Sequence, residues 1–561
     1  MLLLTGQALS TPSGTLRSPD WDWLKQNVQL RMPEAFVSVK KALRRRGSYR
    51  QENIAQLIRD NAGIPEGTVV GIPPGEVVGL SDAGALSPRE ASKIWYTNGL
   101  SAEAASGSGT ENDPWIIENR EIGHGQVRLD NTGWTKFRNC LFENGSNMEF
   151  FVQGNFVGNL IFENCEFSDA LSGGADGYVI RIDAANEYYF KNCLFGGAFV
   201  NQAIGTISNT MPVGSTFKIS LENCRIDESK MAWTNNADFF ENIGVADKKV
   251  YIDLEIKHCE FLAPSGGGKF IVVPMRDDVF SSLVLENNLV QGFGSLLRNT
   301  ADNNGAEIYN LSVKYNSITD TKNECIRVGR IKGGEIAYNE FVHETVGVDN
   351  RLVYLTWDST TVGAVCEDVD VHHNKFTKKT GPGTASNECL ESAAGINIKF
   401  RWNWVTECPE DAYEHLFPQS GCTMEYLVAD NCAVQVCDIW KTFDPFTYQA
   451  IGENNDNSSL PAAATHIHHI YGDCGDWPVI LSGANGVIVH DIYVNNAHSD
   501  PARATVNIQD RDGVVSENIY VAGPLPKDDE RAVPSTVILS TTGTNIGAQW
   551  INEDGFLFDL P

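Results

Sequence analysis

The chain has 561 residues and a formal net charge of −29 at pH 7. Such a charge repels nucleic acid and anionic membrane surfaces, which argues against nucleic-acid binding and membrane insertion. A chain of this length ordinarily divides into several domains, unless its core grows in one direction only, as in a repeat protein.

The N-terminal part of the sequence is predicted to form a small adaptor. A helical pattern begins at Glu34, and a second helix is predicted over residues 52–61 with Ile58 on its inward side. The basic run from Lys40 to Arg46 is either a solvated helix end or a docking patch for an acidic partner. Prolines and glycines then indicate a linker, so residues 1–90 are expected to form an N-terminal helical adaptor.

No targeting or membrane segment is expected. The first residues lack a basic start and contain only a three-residue apolar run, which is not typical of a secretory signal. No apolar stretch is long enough to span a bilayer. These features favour a particle protein made in a host cell, or an extracellular enzyme that has lost its signal.

A short β-type phrase then recurs along the chain, as in FRNCLF, FENCEF and KNCLF. Its polar residue returns at spacings between 23 and 35 residues, which is the signature of a solenoid with variable inserts. The predicted column is Asn139, Asn164, Asn192, Asn223, His258, Asn287, Asn316, Asn339, Asn374, Asn403 and Asn431.

Each phrase alternates apolar and polar residues with period two, which predicts strands rather than helices. Asparagine tolerates the left-handed backbone of a sharp bend and can bond its counterpart on the next turn. A second column, of cysteines, follows directly at Cys140, Cys165, Cys193, Cys224 and Cys259.

These columns resemble those of the right-handed parallel β-helix proteins of the pectate-lyase-like superfamily. The resemblance covers roughly residues 110–525. It implies an all-β, single-stranded solenoid of about fourteen rungs, or roughly 65 Å at ~4.8 Å per rung. We therefore expect a parallel β-helix over residues 91–523 and a C-terminal cap over residues 524–561.

The thirteen cysteines include no Cys-x-x-Cys pair. Most are interpreted as small buried apolar residues. Cysteines on neighbouring rungs would lie ~4.8 Å apart, a spacing that does not exclude disulfides.

Three later phrases, NECIRV, NECLES and PEDAYEH, begin at Asn323, Asn387 and Pro409 and align with one another. Equivalent positions of successive rungs become neighbours ~5 Å apart, so the alignment predicts columns of charged side chains. The predicted catalytic residues are Glu324, Glu388, Glu391, Asp411, Glu414 and His415, with Glu410 alongside.

Stacked carboxylates repel unless they are protonated, paired with arginine or bound to a cation. They could serve glycoside hydrolysis or cation-assisted lysis of a uronate polymer, or form a solvated acidic edge without chemistry. The predicted substrate-binding residues are Arg327, Arg351, Tyr354, Trp357, Trp402, Trp404 and Trp440, although core packing is the default role of a tryptophan.

No cofactor and no metal ligand set is predicted with a recognised spacing. The polar loops that begin at Asp302 and Glu453 could bind a divalent cation such as calcium.

Within the superfamily the chain resembles bacteriophage tailspike and fibre proteins. That resemblance implies a virion-associated homotrimer, attached to other particle proteins through its N-terminal region. It also implies that the protein binds a host cell-surface polysaccharide; whether it also cleaves that polysaccharide is left open by the sequence. The alternatives are a non-catalytic structural or adhesion β-helix and a secreted polysaccharide lyase or glycosidase.

Overall fold

A computed structural model of the chain describes residues 57–73 and, with gaps in most of the longer loops, residues 95–559. Helix is confined, among these residues, to 57–61, and nearly all the rest of the regular structure is parallel β-strand. The first predicted helix and the basic run from Lys40 to Arg46 lie outside the described residues.

Strands form because side chains alternate between an apolar interior and a polar exterior. In Tyr251–Lys257, Ile252, Leu254 and Ile256 are buried while the residues between them are not. Each strand pairs in parallel with the strand about one repeat later in the chain. The result is three long faces, an arrangement that is consistent with a parallel β-helix. Its handedness and its number of rungs stay predictions.

Face 1 is a 16-stranded parallel sheet. Its strands are Trp95–Tyr96, Val127–Leu129, Phe150–Val152, Tyr178–Ile182, Gln202–Ile207, Phe240–Ile243, Phe270–Val273, Ser295–Arg298, Ile326–Val328, Val353–Leu355, Leu390–Ala393, Tyr413–Leu416, Cys437–Trp440, Val479–Ser482, Val506–Gln509 and Val537–Ser540.

Face 2 contains the longest strands. They are Trp115–Glu118, Thr135–Arg138, Leu160–Glu163, Glu187–Lys191, Thr216–Glu222, Tyr251–Lys257, Val279–Glu286, Glu307–Lys314, Ile331–Ala337, Glu367–His372, Lys399–Arg401, Cys422–Cys432, Thr465–Cys474, Asn485–Asn496, Glu517–Ala522 and Gly547–Ile551.

Face 3 follows face 2 after a sharp turn. Its strands are Glu121–Gly123, Leu141–Glu143, Glu166–Ser168, Leu194–Gly196, Arg225–Asp227, Glu260–Leu262, Leu289–Gln291, Ser317–Thr319, Glu340–His343, Lys375–Lys378 and Trp404–Glu407. Trp404–Glu407 then pairs with the second half of Cys422–Cys432, which serves both faces.

Two antiparallel pairs interrupt the parallel pattern. Phe443–Asp444 pairs with Gln449–Ala450, and Leu557–Asp559 pairs with Gly547–Ile551 near the C-terminal end. Within the predicted cap region, Val537–Ser540 continues face 1 in parallel.

The turn between faces 2 and 3 contains two polar ladders rather than the single column predicted. Early in the chain the asparagine occupies the left-handed position, as Asn139 does at φ 52° and Asn164 at φ 53°. The Nδ2 of Asn164 donates to the Oδ1 of Asn139 at 3.3 Å. The cysteine that follows points into the core, and all thirteen cysteines are free and buried.

From Asn288 onward the asparagine moves one position and takes the buried place of the cysteine. Asn339 donates through Nδ2 to the Oδ1 of Asn374 at 3.0 Å and to the backbone oxygen of Val313 at 2.8 Å. This inner ladder consists of Asn288, Asn316, Asn339, Asn374 and Asn403.

Aromatic rings then occupy the left-handed position that asparagine has left. Tyr315 and Tyr338 stack with ring centroids 5.1 Å apart, and Trp402 and Tyr426 stack at 4.4 Å. This aromatic column lies on the outside of the turn, on the opposite side of the strand ends from the inner ladder.

Residues 57–73, here called the outer segment, lie against that turn. The helical residue Ile58 is buried beside Val428 and packs against Trp404, Tyr426 and Tyr471. Further along, the Gly63 amide donates to the Trp402 carbonyl. The Gly71 amide donates to the Tyr315 carbonyl, so the segment runs back towards earlier strands. The predicted domain boundaries stay predictions.

We predict that Asn339→Ala destabilises the solenoid by about 2–4 kcal/mol, because it leaves two buried backbone groups without partners at ~1–3 kcal/mol each. The backbone N–H of Asn316 and the oxygen of Val313 are the two groups concerned. Thermal unfolding measures the change. Asn139→Gly is the control: it removes a partly exposed ladder member, keeps the left-handed turn, and should have an effect below ~1 kcal/mol. Equal losses in both variants would contradict the role of the inner ladder.

Candidate functional site on face 1

Both predicted columns of charged side chains are present on the outside of face 1. The strand register aligns Tyr354 with Glu391, Glu391 with Glu414, and Glu414 with the next strand. Because equivalent residues of paired strands point the same way, these side chains share one side of the sheet. This central column consists of Arg298, Arg327, Tyr354, Glu391, Glu414 and Asp438.

A flanking column lies three residues earlier, at the turn that enters each strand. The Cys389 amide donates to the Asp411 carbonyl, and the Ala412 amide donates to the Gln435 carbonyl, which aligns the turns. The flanking column consists of Glu324, Arg351, Glu388, Asp411 and Gln435. The two columns together bring carboxylates from three successive strands to one place.

Three glutamates converge closely. Glu388, Glu391 and Glu414 are 9%, 0% and 3% exposed, and each places a carboxylate oxygen within 4.8 Å of the other two. Oxygen donors at this spacing are those that a hard divalent cation such as Ca²⁺ prefers. The two loops considered for calcium, at Asp302 and Glu453, lie outside the described residues.

An arginine already supplies counter-charge to this group. The Nε of Arg351 lies 3.1 Å from Glu388 Oε2 and also donates to Glu391 Oε2. The Arg351 guanidinium lies 4.5 Å from the centroid of the Tyr354 ring, which holds it in place. Arg351 therefore pairs with two of the three glutamates, and no cation is required for those two to coexist.

The remaining carboxyl groups are held towards their protonated forms. Burial, and then the charges of Glu388 and Asp438, raise the pKa of Glu414 well above its usual range. Burial and then Glu388 raise the pKa of Asp438 to about 8, although Arg511 opposes the shift. Burial and Glu388 likewise raise the pKa of Glu410 to about 7. The cluster thus combines arginine-paired and protonated carboxyl groups near neutral pH.

Asp411 is fixed by the residue that follows it in the flanking column. The backbone amide of Gln435 donates to Asp411 Oδ1 at 3.1 Å. With its side-chain nitrogen turned towards Asp411, Gln435 also donates to both carboxylate oxygens, at 2.9 and 2.8 Å. Burial, and then Asp438 and Glu388, raise the pKa of Asp411, so these donors oppose a strong tendency to protonate.

His415 does not join the carboxylates. It follows Glu414 in its strand and therefore points to the opposite side, into the core, where it is 0% exposed. Its Nδ1 lies 2.6 Å from the Ser392 hydroxyl, and its ring stacks on Phe400 at 4.3 Å. Burial lowers the pKa of His415 to about 4, so the ring is a neutral core residue.

The predicted tryptophans do not lie together. Trp402 belongs to the aromatic column, and Trp404 donates through Nε1 to Asp430 beside the outer segment. Both are at the turn between faces 2 and 3, away from the carboxylates. Trp357 lies outside the described residues. Trp440 does lie at the site, two residues after Asp438 on the same strand and the same side.

Asp438 was missed by the sequence reasoning, as were Arg298 and Gln435. The phrase VQVCDIW lacks the Asn-Glu or Pro-Glu start of the aligned phrases, although its Asp438 follows Glu414 by 24 residues. The spacing from Glu414 to Asp438 is close to the 23 residues between Glu391 and Glu414, and this similarity could have identified Asp438 as the next member of the column.

No family model, no curated protein and no solved structure matches the chain. No helix among the described residues is long and apolar enough to cross a membrane.

We predict that the stability that Asp438 contributes falls as the pH rises from about 4 to about 8, seen as the difference between the wild-type protein and Asp438→Asn. Over this window the folded protein retains the Asp438 proton that the unfolded chain has released, so through this group alone each pH unit removes at most about 1.4 kcal/mol. Asp438→Asn should therefore lack this component of the slope and have a higher melting temperature at pH 8. Thermal unfolding at several pH values checks it.

Glu163→Gln, on face 2, is the matched control and should leave the slope unchanged. Equal slopes in the wild-type protein and in Asp438→Asn would contradict the assignment of a protonated carboxyl group to Asp438.

Proposed function

We propose that the chain is a right-handed parallel β-helix of about fourteen rungs whose face 1 binds a polysaccharide and hydrolyses its glycosidic bonds. The observation that carries this proposal is the central column, in which Glu391, Glu414 and Asp438 lie on three successive strands. Glycoside hydrolysis needs two carboxyl groups at a defined separation, one able to give a proton and one ionised.

Asp438 is the proposed general acid. Its raised pKa of about 8 keeps it protonated at neutral pH, and it is more exposed than the glutamates of the column. A protonated carboxyl group that solvent or substrate can reach is what protonation of a leaving oxygen requires. Burial, rather than a single charged neighbour, is the main cause of this state.

Glu391 is the proposed general base. The Arg351 guanidinium donates to it and stabilises its charged form. Glu391 and Asp438 are two strands apart, which is roughly 9.6 Å between backbones. Inverting glycosidases hold their two carboxyl groups ~6.5–9.5 Å apart, which leaves room for the attacking water, and side chains offset by two strands on one side of a sheet can reach such a separation. Glu414 lies between them and would hold that water or the sugar.

Trp440 is the proposed sugar platform at this site. It shares the outward side of its strand with Asp438, and the Arg511 guanidinium lies 5.3 Å from its ring centroid. An aromatic ring held in place by a cation on one side offers its other face to a sugar beside the acid.

The burial of Glu391 and Glu414 favours a second candidate, a non-catalytic binding rod. Both side chains are at most 3% exposed, so a substrate would have to approach a site that is nearly closed in this structure. In that case the carboxyl groups would only stabilise the packing of neighbouring strands, through ion pairs with Arg351 and through hydrogen bonds between protonated and ionised carboxyl groups.

The placement of the protein on a virus particle rests on the tailspike resemblance alone. With it come the proposed homotrimer, the host cell-surface polysaccharide as target, and attachment to other particle proteins through the N-terminal region. The alternative is an extracellular location, as a secreted enzyme.

For catalysis we predict that Asp438→Asn and Glu391→Gln each lower kcat on a cleaved polysaccharide by about 100- to 10,000-fold, the range expected for loss of an acid or base. Reducing-end release from extracted bacterial capsular polysaccharides measures it, and NMR should show inverted anomeric configuration in the first product. Glu163→Gln should retain full activity. Unsaturated products would identify a lyase instead, and an absence of turnover on every capsule tested would favour the binding rod.

For assembly we predict that the full chain has the mass of three chains in solution, measured by light scattering. A truncated chain that begins at residue 55 keeps the outer segment, whose Ile58 and Arg59 contact the solenoid. Because Trp404 stays covered in this truncated chain, any change in its mass is due to the loss of residues 1–54 and not to exposure of Trp404. A monomeric full chain would contradict the spike proposal.

A further inference from the structure

Two aspartates on adjacent turns of face 1 compete for one proton. Asp411 belongs to the flanking column and Asp438 to the central column. After burial, Asp438 is the largest cause of the raised pKa of Asp411, so the two carboxyl groups lie close enough to interact. Two carboxylates this near repel each other, and one of them takes up a proton more readily than it would alone. The aspartate that holds this proton is the one able to act as an acid.

Asp411 is surrounded by N–H donors from a single residue. The Gln435 backbone amide donates to Asp411 Oδ1 at 3.1 Å, and the turned side-chain nitrogen of Gln435 donates to both carboxylate oxygens, at 2.9 and 2.8 Å. Both oxygens of Asp411 therefore accept hydrogen bonds already. A proton on either oxygen would face one of these donors, so the contacts favour the ionised form of Asp411.

Asp438 has the opposite surroundings. Its Oδ1 is buried and accepts no hydrogen bond from the described residues. The next strand of face 1 places Ile480 beside it, an apolar side chain that is 5% exposed and can donate nothing. A buried carboxylate oxygen without a donor costs free energy, and that cost falls when the carboxyl group is protonated. The contacts of Asp438 therefore favour its neutral form.

Most titratable groups that face the two aspartates are acidic. They are Glu388, Glu391, Glu410 and Glu414, beside the buried thiol of Cys408. Arg351 pairs with Glu388 and Glu391 on the side of the preceding turn. On the other side, Arg511 and the Ile439 amide favour the ionised form of Asp438, but burial outweighs them and raises the pKa of Asp438 to about 8.

We propose that Gln435 is a positioning residue, whose N–H groups hold Asp411 ionised so that the proton of the two aspartates resides on Asp438. The proposal rests on the proposed function and deepens it, because it explains why Asp438 and not Asp411 is the acid of this site. Gln435 acts through Asp411 and takes no part in the transfer of the proton to the leaving oxygen.

Infrared spectroscopy of the full-length protein tests where the proton resides. Aspartate with an isotopically labelled carboxyl carbon separates the C=O band of protonated aspartates from that of protonated glutamates. In the wild-type protein this band should lose a component with a midpoint near pH 8. The component should be absent in Asp438→Asn, and it should persist in Asp411→Asn at a lower midpoint, because a neighbouring negative charge is gone. A component that is lost in Asp411→Asn and retained in Asp438→Asn would overturn the proposal.

Gln435→Met tests the role of the glutamine, because it keeps the length of the side chain and removes the side-chain donors to Asp411. Asp411 then takes up a proton more readily, so the Asp438 midpoint should fall by about one pH unit. Gln435→Asn, with a shorter amide, should give a smaller fall and serves if the Met variant does not fold. The matched control is Gln509→Met on the same face. Gln509 donates to the neutral Ser482 hydroxyl at 2.8 Å, so its loss should leave the midpoint unchanged.

Turnover separates this proposal from the proposed function. On a polysaccharide that the wild-type protein cleaves, the alkaline limb of the kcat profile should move to lower pH in Gln435→Met by the same amount as the infrared midpoint. The expected infrared pattern without turnover of any polymer would uphold the position of the proton while contradicting hydrolysis. Turnover whose alkaline limb is the same in Gln435→Met, or an equal shift in Gln509→Met, would overturn the role of Gln435.

Discussion

Hydrogen bonds that run along the solenoid axis set the register on which the site depends. In the inner ladder, each asparagine bonds the next asparagine and a backbone oxygen of the preceding turn, as Asn374 does with Asn403 and Ile336. The side-chain period of a strand is two, so a slip of one residue reverses every side chain. Glu391 and Glu414 would then point into the core and His415 would point out. The carboxyl cluster therefore exists only in the register that the ladder maintains.

The same close stacking creates an electrostatic conflict, which the chain resolves in two ways. Arg351 pairs with Glu388 and Glu391, and burial shifts Glu414 and Asp438 towards their neutral forms. The result is a graded set of carboxyl groups within three strands. Such a gradient is what acid–base chemistry on a sugar requires, and it arises here from position along one column rather than from different local folds.

The fold could be anticipated because its signal is local. The Asn-Cys and Asn-aromatic motifs predict a bend and the strands on either side of it, and the parallel sheets confirm that interpretation. The predicted single asparagine column was wrong, because a polar residue at the bend can occupy either the left-handed position or the buried one after it. Asn287 and Asn288 are adjacent in the chain, and the structure distinguishes them: Asn287 has the left-handed φ of 55°, whereas Asn288 is buried and bonds Asn316.

The site was anticipated in part. Alignment of like phrases found Glu388, Glu391, Asp411 and Glu414, since charged residues at equal places in a repeat must stack. The same reasoning failed for Trp402 and Trp404, because membership of a rung does not reveal which of three faces a side chain occupies.

The outer segment runs against the direction in which the solenoid is built. Ile58 packs beside Tyr471, and Gly71 bonds Tyr315, so a part of the chain that is synthesised early rests on surfaces that are synthesised much later. During translation the Tyr315 contact becomes available only after more than half of the chain has been made, and the Tyr471 contact only after more than four-fifths. Its docking therefore depends on contacts with a very large sequence separation, which are slow to form, and in the folded structure it joins turns as far apart as Tyr315 and Tyr471.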